Sequence, residues 1–204
     1  MRGVYSPSRA EGAGQARLSE PVRQARVFVG LKIEPEIASK LARFAAVLEQ
    51  SFVRPVAQDD IHLTLVPPWN ENFILGAIDK LRRVADAFYP FWLLFQHVGY
   101  GPRPTRPRLL WADCAATDDI SALRTALLRI FGQGDERPFQ PHVTIARIRE
   151  NGRAIEREHP IDQSLSMRQR VESIQLFRSP PPSAKGYQIL ASLSLAGTGG
   201  SPGP

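Results

Sequence analysis

The feature that most restricts this chain is a pattern that occurs twice. Arg26-Val-Phe-Val-Gly-Leu-Lys-Ile33 is rich in β-branched and apolar residues and reads as a buried strand. Pro35 then opens a helix, at a position where its missing N–H costs nothing. Ile37, Leu41, Phe44, Ala45 and Leu48 fall on one stripe of that helix. A second strand over 61–66, ended by Pro67-Pro68, carries His62-Leu-Thr64. The same order then returns. Residues 108–114 read as a strand, and Asp118 caps a helix with Ile120, Leu123, Leu127 and Ile130 inward, which Gly132 stops. Residues 141–148 are again a strand, and it carries His142-Val-Thr144. His62 lies 36 residues after Arg26, and His142 lies 34 after Arg108. Such a chain is expected to fold as two similar halves, each mixing helix and sheet.

The remaining segments fit around these units. A helix is expected over 71–88, with Ile74, Ile78, Leu81, Ala85 and Phe88 inward, then a strand over 91–98 and a Gly/Pro/Arg loop over 99–107. The polar run after residue 150 reads as a short helix broken at Pro160, and two last strands fall near 167–177 and 186–195. Residues 1–22 mix Gly, Ser, Pro, Ala and charges without period, and 197–204 are Gly/Pro/Ser-rich. Both are expected to be mobile tails around a single domain at 23–196.

Composition excludes several classes. Of 204 residues 43% are hydrophobic, enough for a core, so global disorder is ruled out. Apolar runs such as Phe91 to Phe95 fall far below the roughly 18 residues that span a bilayer, so no membrane partner is expected. The single cysteine, Cys114, cannot form an internal disulfide, and no secretory signal is evident, which points to a cytoplasmic setting. A formal charge of +6 favours polyanions such as RNA or nucleotides as partners.

The chemistry concentrates in the repeated motif. Only four histidines occur, at positions 62, 97, 142 and 159, and two of them head an apolar-flanked His-x-Thr. On a strand, residues i and i+2 share a face. His62 and Thr64 therefore project together while Leu63 turns to the core, and His142 and Thr144 do the same around Val143. If the halves pack about an approximate two-fold, two imidazoles and two hydroxyls surround one small volume. That set suits a phosphate diester. An imidazole near pKa 6.5 can take a proton from water while its protonated twin gives one to the departing ribose oxygen. The hydroxyls donate to the non-bridging oxygens. No metal or cofactor is needed, since two protons are moved and fixed donors hold the charge; a zinc site on the two histidines is the alternative, against which no cysteine is nearby and the carboxylates lack ligand spacing. Asp59 and Asp60 read as turn residues, and His97 and His159 as ordinary ones.

With these residues the chain resembles the two-histidine (2H) phosphoesterase superfamily, specifically the RNA 2′,3′-cyclic phosphodiesterases once named 2′-5′ RNA ligases. The resemblance covers most of 26–195. It is carried by the doubled motif, by Arg26-Val-Phe-Val-Gly-Leu31, Pro107-Arg-Leu-Leu-Trp111, Pro138-Phe-Gln-Pro-His-Val-Thr-Ile-Ala-Arg147 and Ser183-Ala-Lys-Gly-Tyr187. The sequence departs from the family at Leu65-Val-Pro-Pro-Trp69 and in the charged stretch 149–163. The resemblance implies a bilobal α+β fold, with two pseudo-symmetric lobes, each an antiparallel-rich sheet packed by helices, and the active-site cleft between them. It implies metal-free opening of a ribose 2′,3′-cyclic phosphate at an RNA end to a 2′-phosphate. By motif position His62 and His142 would be the acid–base pair, and Thr64, Thr144 and Arg147 the phosphate-binding residues. Strict alternation places Arg147 on the face of Val143, so it reaches the cleft only if the strand ends or bulges there; a rim ion pair is the alternative. A monomer acting on RNA or an oligonucleotide with a cyclic phosphate end is expected. The alternatives are a 2H phosphodiesterase for a cyclic nucleotide-sugar or a 2′-5′ linkage, and a non-catalytic RNA-binding module on the same fold.

Overall fold

The structure, a computed structural model, describes residues 24–48, 52–103, 106–134, 138–149, 152–181 and 184–197. In chain order the elements are β1 (Ala25–Lys32), α1 (Pro35–Ala46), β2 (Val53–Pro55), a 3-10 turn (Gln58–Asp60), β3 (His62–Glu71), α2 (Ile74–Ala85), β4 (Phe91–Gly101), β5 (Leu109–Cys114), α3 (Asp118–Phe131), β6 (His142–Ile148), α4 (Gly152–Glu158), β7 (Gln163–Val171), β8 (Ser173–Arg178) and β9 (Gln188–Ser194). This is the mixed helix and antiparallel-sheet class expected from the sequence.

The strands run in the order β7-β4-β5-β6-β3-β1-β8-β9, with β2 added to β6, and every pairing is antiparallel. Instead of two separate sheets, hydrogen bonding makes one path whose middle step is β6-β3. The register there is a single pair, Leu63 with Val143. Outward from that step the order reads the same way twice: motif strand, opening strand, then two more. The helices cross over the junction, α1 packing on β6 and α3 on β3. The side chains behind both motif strands are therefore sealed by the other half's helix. Leu41, Leu63, Leu123, Leu127, Val143 and Ile145 are fully buried in one continuous apolar core.

Local chemistry explains the boundaries. Pro35 stands at the first turn of α1, and Ile37, Ala38, Leu41 and Ala45 bury its inner stripe. Gly132 ends α3 in the left-handed conformation, with φ of 62°, and its N–H closes the last turn. Thr117 rather than Asp118 occupies the cap position, and Asp118 is the first helical residue, where its carboxylate faces the positive end of the helix dipole.

Other boundaries change as well, β4 among them, which runs on to Gly101 where a loop is expected from residue 99. The strand carrying the first motif does not stop at Pro67-Pro68 but runs on to Glu71. Val27 pairs with Trp69 and Val29 with Val66, so the prolines sit in an irregularity where the ladder asks for no N–H. The helix expected over 71–88 is shorter, because the Glu71 carboxylate accepts the N–H groups of Asn72 and Phe73 (both 2.9 Å) and ends the strand in a turn. The single strand near 167–177 is two: β7 pairs with β4, and after Glu172 the chain crosses to pair β8 with β1. The expected tails at 1–22 and nearly all of 197–204 lie outside the described residues.

Candidate active site

Leu63 opposite Val143 sets the geometry of everything around it. In an antiparallel ladder the next residue of one strand opposes the previous residue of the other. Continued one step each way, the register puts His62 against Thr144 and Thr64 against His142. Leu63 and Val143 point into the core at 0% exposure, so all four motif side chains project from the opposite face, where each is half-buried. The convergence expected from the repeat is therefore made by neighbouring strands and not across a wide gap.

Each imidazole is held in the same way. The Nδ1–H of His62 donates to the carbonyl of Asp60 (2.6 Å), and that of His142 to the carbonyl of Gln140 (2.8 Å), in both cases two residues upstream. A carbonyl oxygen only accepts, so Nδ1 carries the hydrogen and Nε2 is the nitrogen left to exchange protons. The surroundings differ. The His62 ring lies among Phe28 (4.8 Å between centroids), Tyr187 (4.9 Å, edge-on) and Phe177 (5.5 Å). The His142 ring has Trp111 at 4.4 Å. Burial pushes the His62 imidazole below its ordinary pKa. The Asp60 carbonyl and carboxylate oppose that shift, while the positive charges of Arg147 and His142 add to it.

That last effect puts Arg147 and His142 within electrostatic reach of His62, and the reason Arg147 is there is a bulge. On β5, Leu109, Trp111 and Asp113 alternate regularly and oppose Arg147, Thr144 and His142, which leaves Ile145 without an opposing residue on that strand. Ile145 and Ala146 are both fully buried, and the alternation slips by one. Arg147, exposed, thus lies on the His142 and Thr144 side and not behind Val143. The first motif has the same slip: Val29 opposes Val66 and Gly30 opposes Thr64, skipping Leu65. Two bulges, each directly after a motif threonine, complete the internal symmetry.

Several residues here escaped the sequence. Asp60 is in the expected turn, but its carboxylate also accepts the backbone N–H of Tyr187 (2.8 Å), tying the 184–187 segment to the His62 ring. On the other side the Gln140 amide donates to Asp113 (3.1 Å), which faces His97, and His97 also meets Asp162. His97 is thus part of the polar frame behind His142. Neither network has a sequence signature, because each joins segments far apart in the chain.

The comparisons with known proteins bear on this arrangement. The family model described as the 2′-5′ RNA ligase superfamily matches residues 33–180. A protein named RNA 2′,3′-cyclic phosphodiesterase from Archaeoglobus fulgidus is 26% identical over 135 residues, covering 61% of this chain and 73% of that protein. One of the same name from Geobacillus stearothermophilus is 28% identical over 137 residues, covering 62% of this chain but only 43% of its own length. Among solved structures, TT0787 of Thermus thermophilus shares the fold with a TM-score of 0.73 at 23% identity, over 85% of this chain and 100% of that one. E. coli LigT complexed with 3′-AMP has a TM-score of 0.67 at 21% identity, over 85% and 99%. The matched span of the family model runs from the end of β1 through both His-x-Thr strands to the end of β8. The chain therefore belongs to the 2′-5′ RNA ligase superfamily.

Proposed function

We propose that the protein hydrolyses the ribose 2′,3′-cyclic phosphate at an RNA end to a 2′-phosphate, without a metal. The observation that carries the reading is the in-register pair Leu63–Val143, with both imidazoles presenting a free Nε2 on the same face. The names of the Archaeoglobus and Geobacillus relatives supply the substrate class.

In this reaction a water oxygen attacks phosphorus in line with the bond to the ribose O3′. One histidine, neutral, takes the water proton at Nε2, and the other, protonated, gives its Nε2 proton to O3′ as the P–O3′ bond breaks. A P–O bond to the former water replaces it, and the phosphate remains on O2′. Each proton transfer contributes about 10² to 10⁴ in rate. Thr64 and Thr144 donate hydroxyl hydrogens to the non-bridging oxygens, where charge accumulates, and Arg147 supplies a fixed positive charge. The carbonyls of Asp60 and Gln140 hold both rings before substrate arrives, so little reorganisation is needed.

The test is incubation of the purified protein, in chelator, with an oligoribonucleotide ending in a 2′,3′-cyclic phosphate. The product is identified by phosphorus NMR. A 2′-phosphomonoester formed at an undiminished rate is expected. No turnover, a 3′-phosphate product, or loss of activity in chelator would overturn the reading.

A further inference from the structure

We propose that the end of the sheet beyond the second motif, built on Arg54, binds the phosphate backbone of the RNA strand that leads into the cyclic phosphate. This makes the substrate an oligonucleotide and not a mononucleotide, and it rests on the phosphodiesterase reading above. The starting observation is that β2 pairs with β6 so that Arg54 stands directly opposite Arg147. Residues directly opposed in an antiparallel pair share a face, and like charges placed there destabilise the sheet. Both side chains are exposed, and among the described residues neither has a carboxylate within ion-pair distance, since the ion pairs there are those of His97.

The cations continue on both sides. Arg149 extends the same edge, its N–H donating to the Phe52 carbonyl (2.9 Å). Across β6, the connection between β4 and β5 presents Arg103, Arg106 and Arg108, all exposed. Among its described residues the Arg106 N–H donates to the Arg103 carbonyl (3.0 Å) and the Arg108 N–H to the Gly101 carbonyl (2.8 Å). The described residues of 52–56, 101–109 and 146–149 hold these six arginines and no Asp or Glu. A concentrated positive field with nothing to neutralise it costs stability and favours an anion with several charges. It is continuous with Arg147, on the catalytic face. Arg147 lies three residues beyond Thr144, on the order of 10 Å along the strand. Arg54 and its neighbours therefore reach the phosphates on the 5′ side of the reacting one, and a mononucleotide has none to offer.

The experiment compares kcat/KM for cytidine 2′,3′-cyclic phosphate and for a single-stranded RNA of about ten nucleotides with the same end, across a salt series. Wild type is expected to favour the RNA, with an advantage that shrinks as salt rises. Arg54→Ala should lower kcat/KM for the RNA on the order of tenfold and leave the mononucleotide within about twofold. Its log–log salt slope should lose about 0.7 for each phosphate contact removed, and Arg54→Lys should recover most of the loss. Because Arg54 faces a like charge, Arg54→Ala should not lower the melting temperature. An equal loss on both substrates, an unchanged salt slope, or a loss explained by lower stability overturns the inference. If wild type turns over neither substrate, the phosphodiesterase reading fails, and fluorescence anisotropy of a labelled RNA ending in a 2′-phosphate still decides this one. Weaker binding by Arg54→Ala supports it, and unchanged binding overturns it.

Discussion

On the proposed mechanism, His142→Ala is expected to separate catalysis from folding. The ring is half-buried, and its partners among the described residues are one ring contact with Trp111 and one hydrogen bond to the Gln140 carbonyl. An aromatic contact is worth about 0.5–1.5 kcal/mol, and a net hydrogen bond about the same. Removing both costs on the order of 1–3 kcal/mol, and the Gln140 carbonyl can turn to water. Against a total stability of about 5–15 kcal/mol the variant stays folded. The catalytic loss is larger. Removing one proton-transfer partner should lower kcat/KM about 10²- to 10⁴-fold, equivalent to about 2.7–5.4 kcal/mol of barrier at 1.36 kcal/mol per decade. The assay is steady-state hydrolysis of a cyclic-phosphate RNA, with a denaturant melt of the same preparation. A folded His142→Ala protein that retains activity within about threefold of wild type would refute the acid–base assignment.

His62 should titrate below the ordinary histidine pKa of about 6.5, because burial disfavours its charged form. The folded state then binds fewer protons than the unfolded state just below that value, so stability is complete above it and falls as pH drops through the folded pKa. Proton NMR of the ring, and denaturant midpoints at pH 7.5 and 5.5 for wild type and His62→Gln, check this; a ring titrating above about 6.5 contradicts it. Gly30→Ala should destabilise by about 1–3 kcal/mol, since a Cβ there would lie 2.5 Å from the Leu63 carbonyl oxygen, directly beneath the first motif. An unchanged denaturant midpoint would show that β3 gives way without strain. Arg147→Ala should raise the apparent pKa of His62 by removing a neighbouring positive charge and should weaken phosphate inhibition, and an unmoved titration would place its guanidinium away from the site.

Much of this protein is readable from residue order. The stripe Ile37, Leu41, Ala45 has helical period whatever it packs on, and both His-x-Thr segments alternate with buried Leu63 and Val143 whatever strand lies beside them. Such patterns specify which face is wet, and with the motif flanks they were enough for the family. Partner choice is another matter. Period-two alternation does not say which strand is the neighbour, so the division of the 163–178 region between β7 and β8 could not be read from it. A bulge is defined by the register of two strands, not by the residues of one. The slip at Ile145 that turns Arg147 onto the face of His142 and Thr144, and the irregularity that admits Pro67-Pro68 into β3, therefore came only with the assembled sheet. The same holds for Asp60, whose carboxylate reaches Tyr187 across 127 positions of chain to help set the environment of His62.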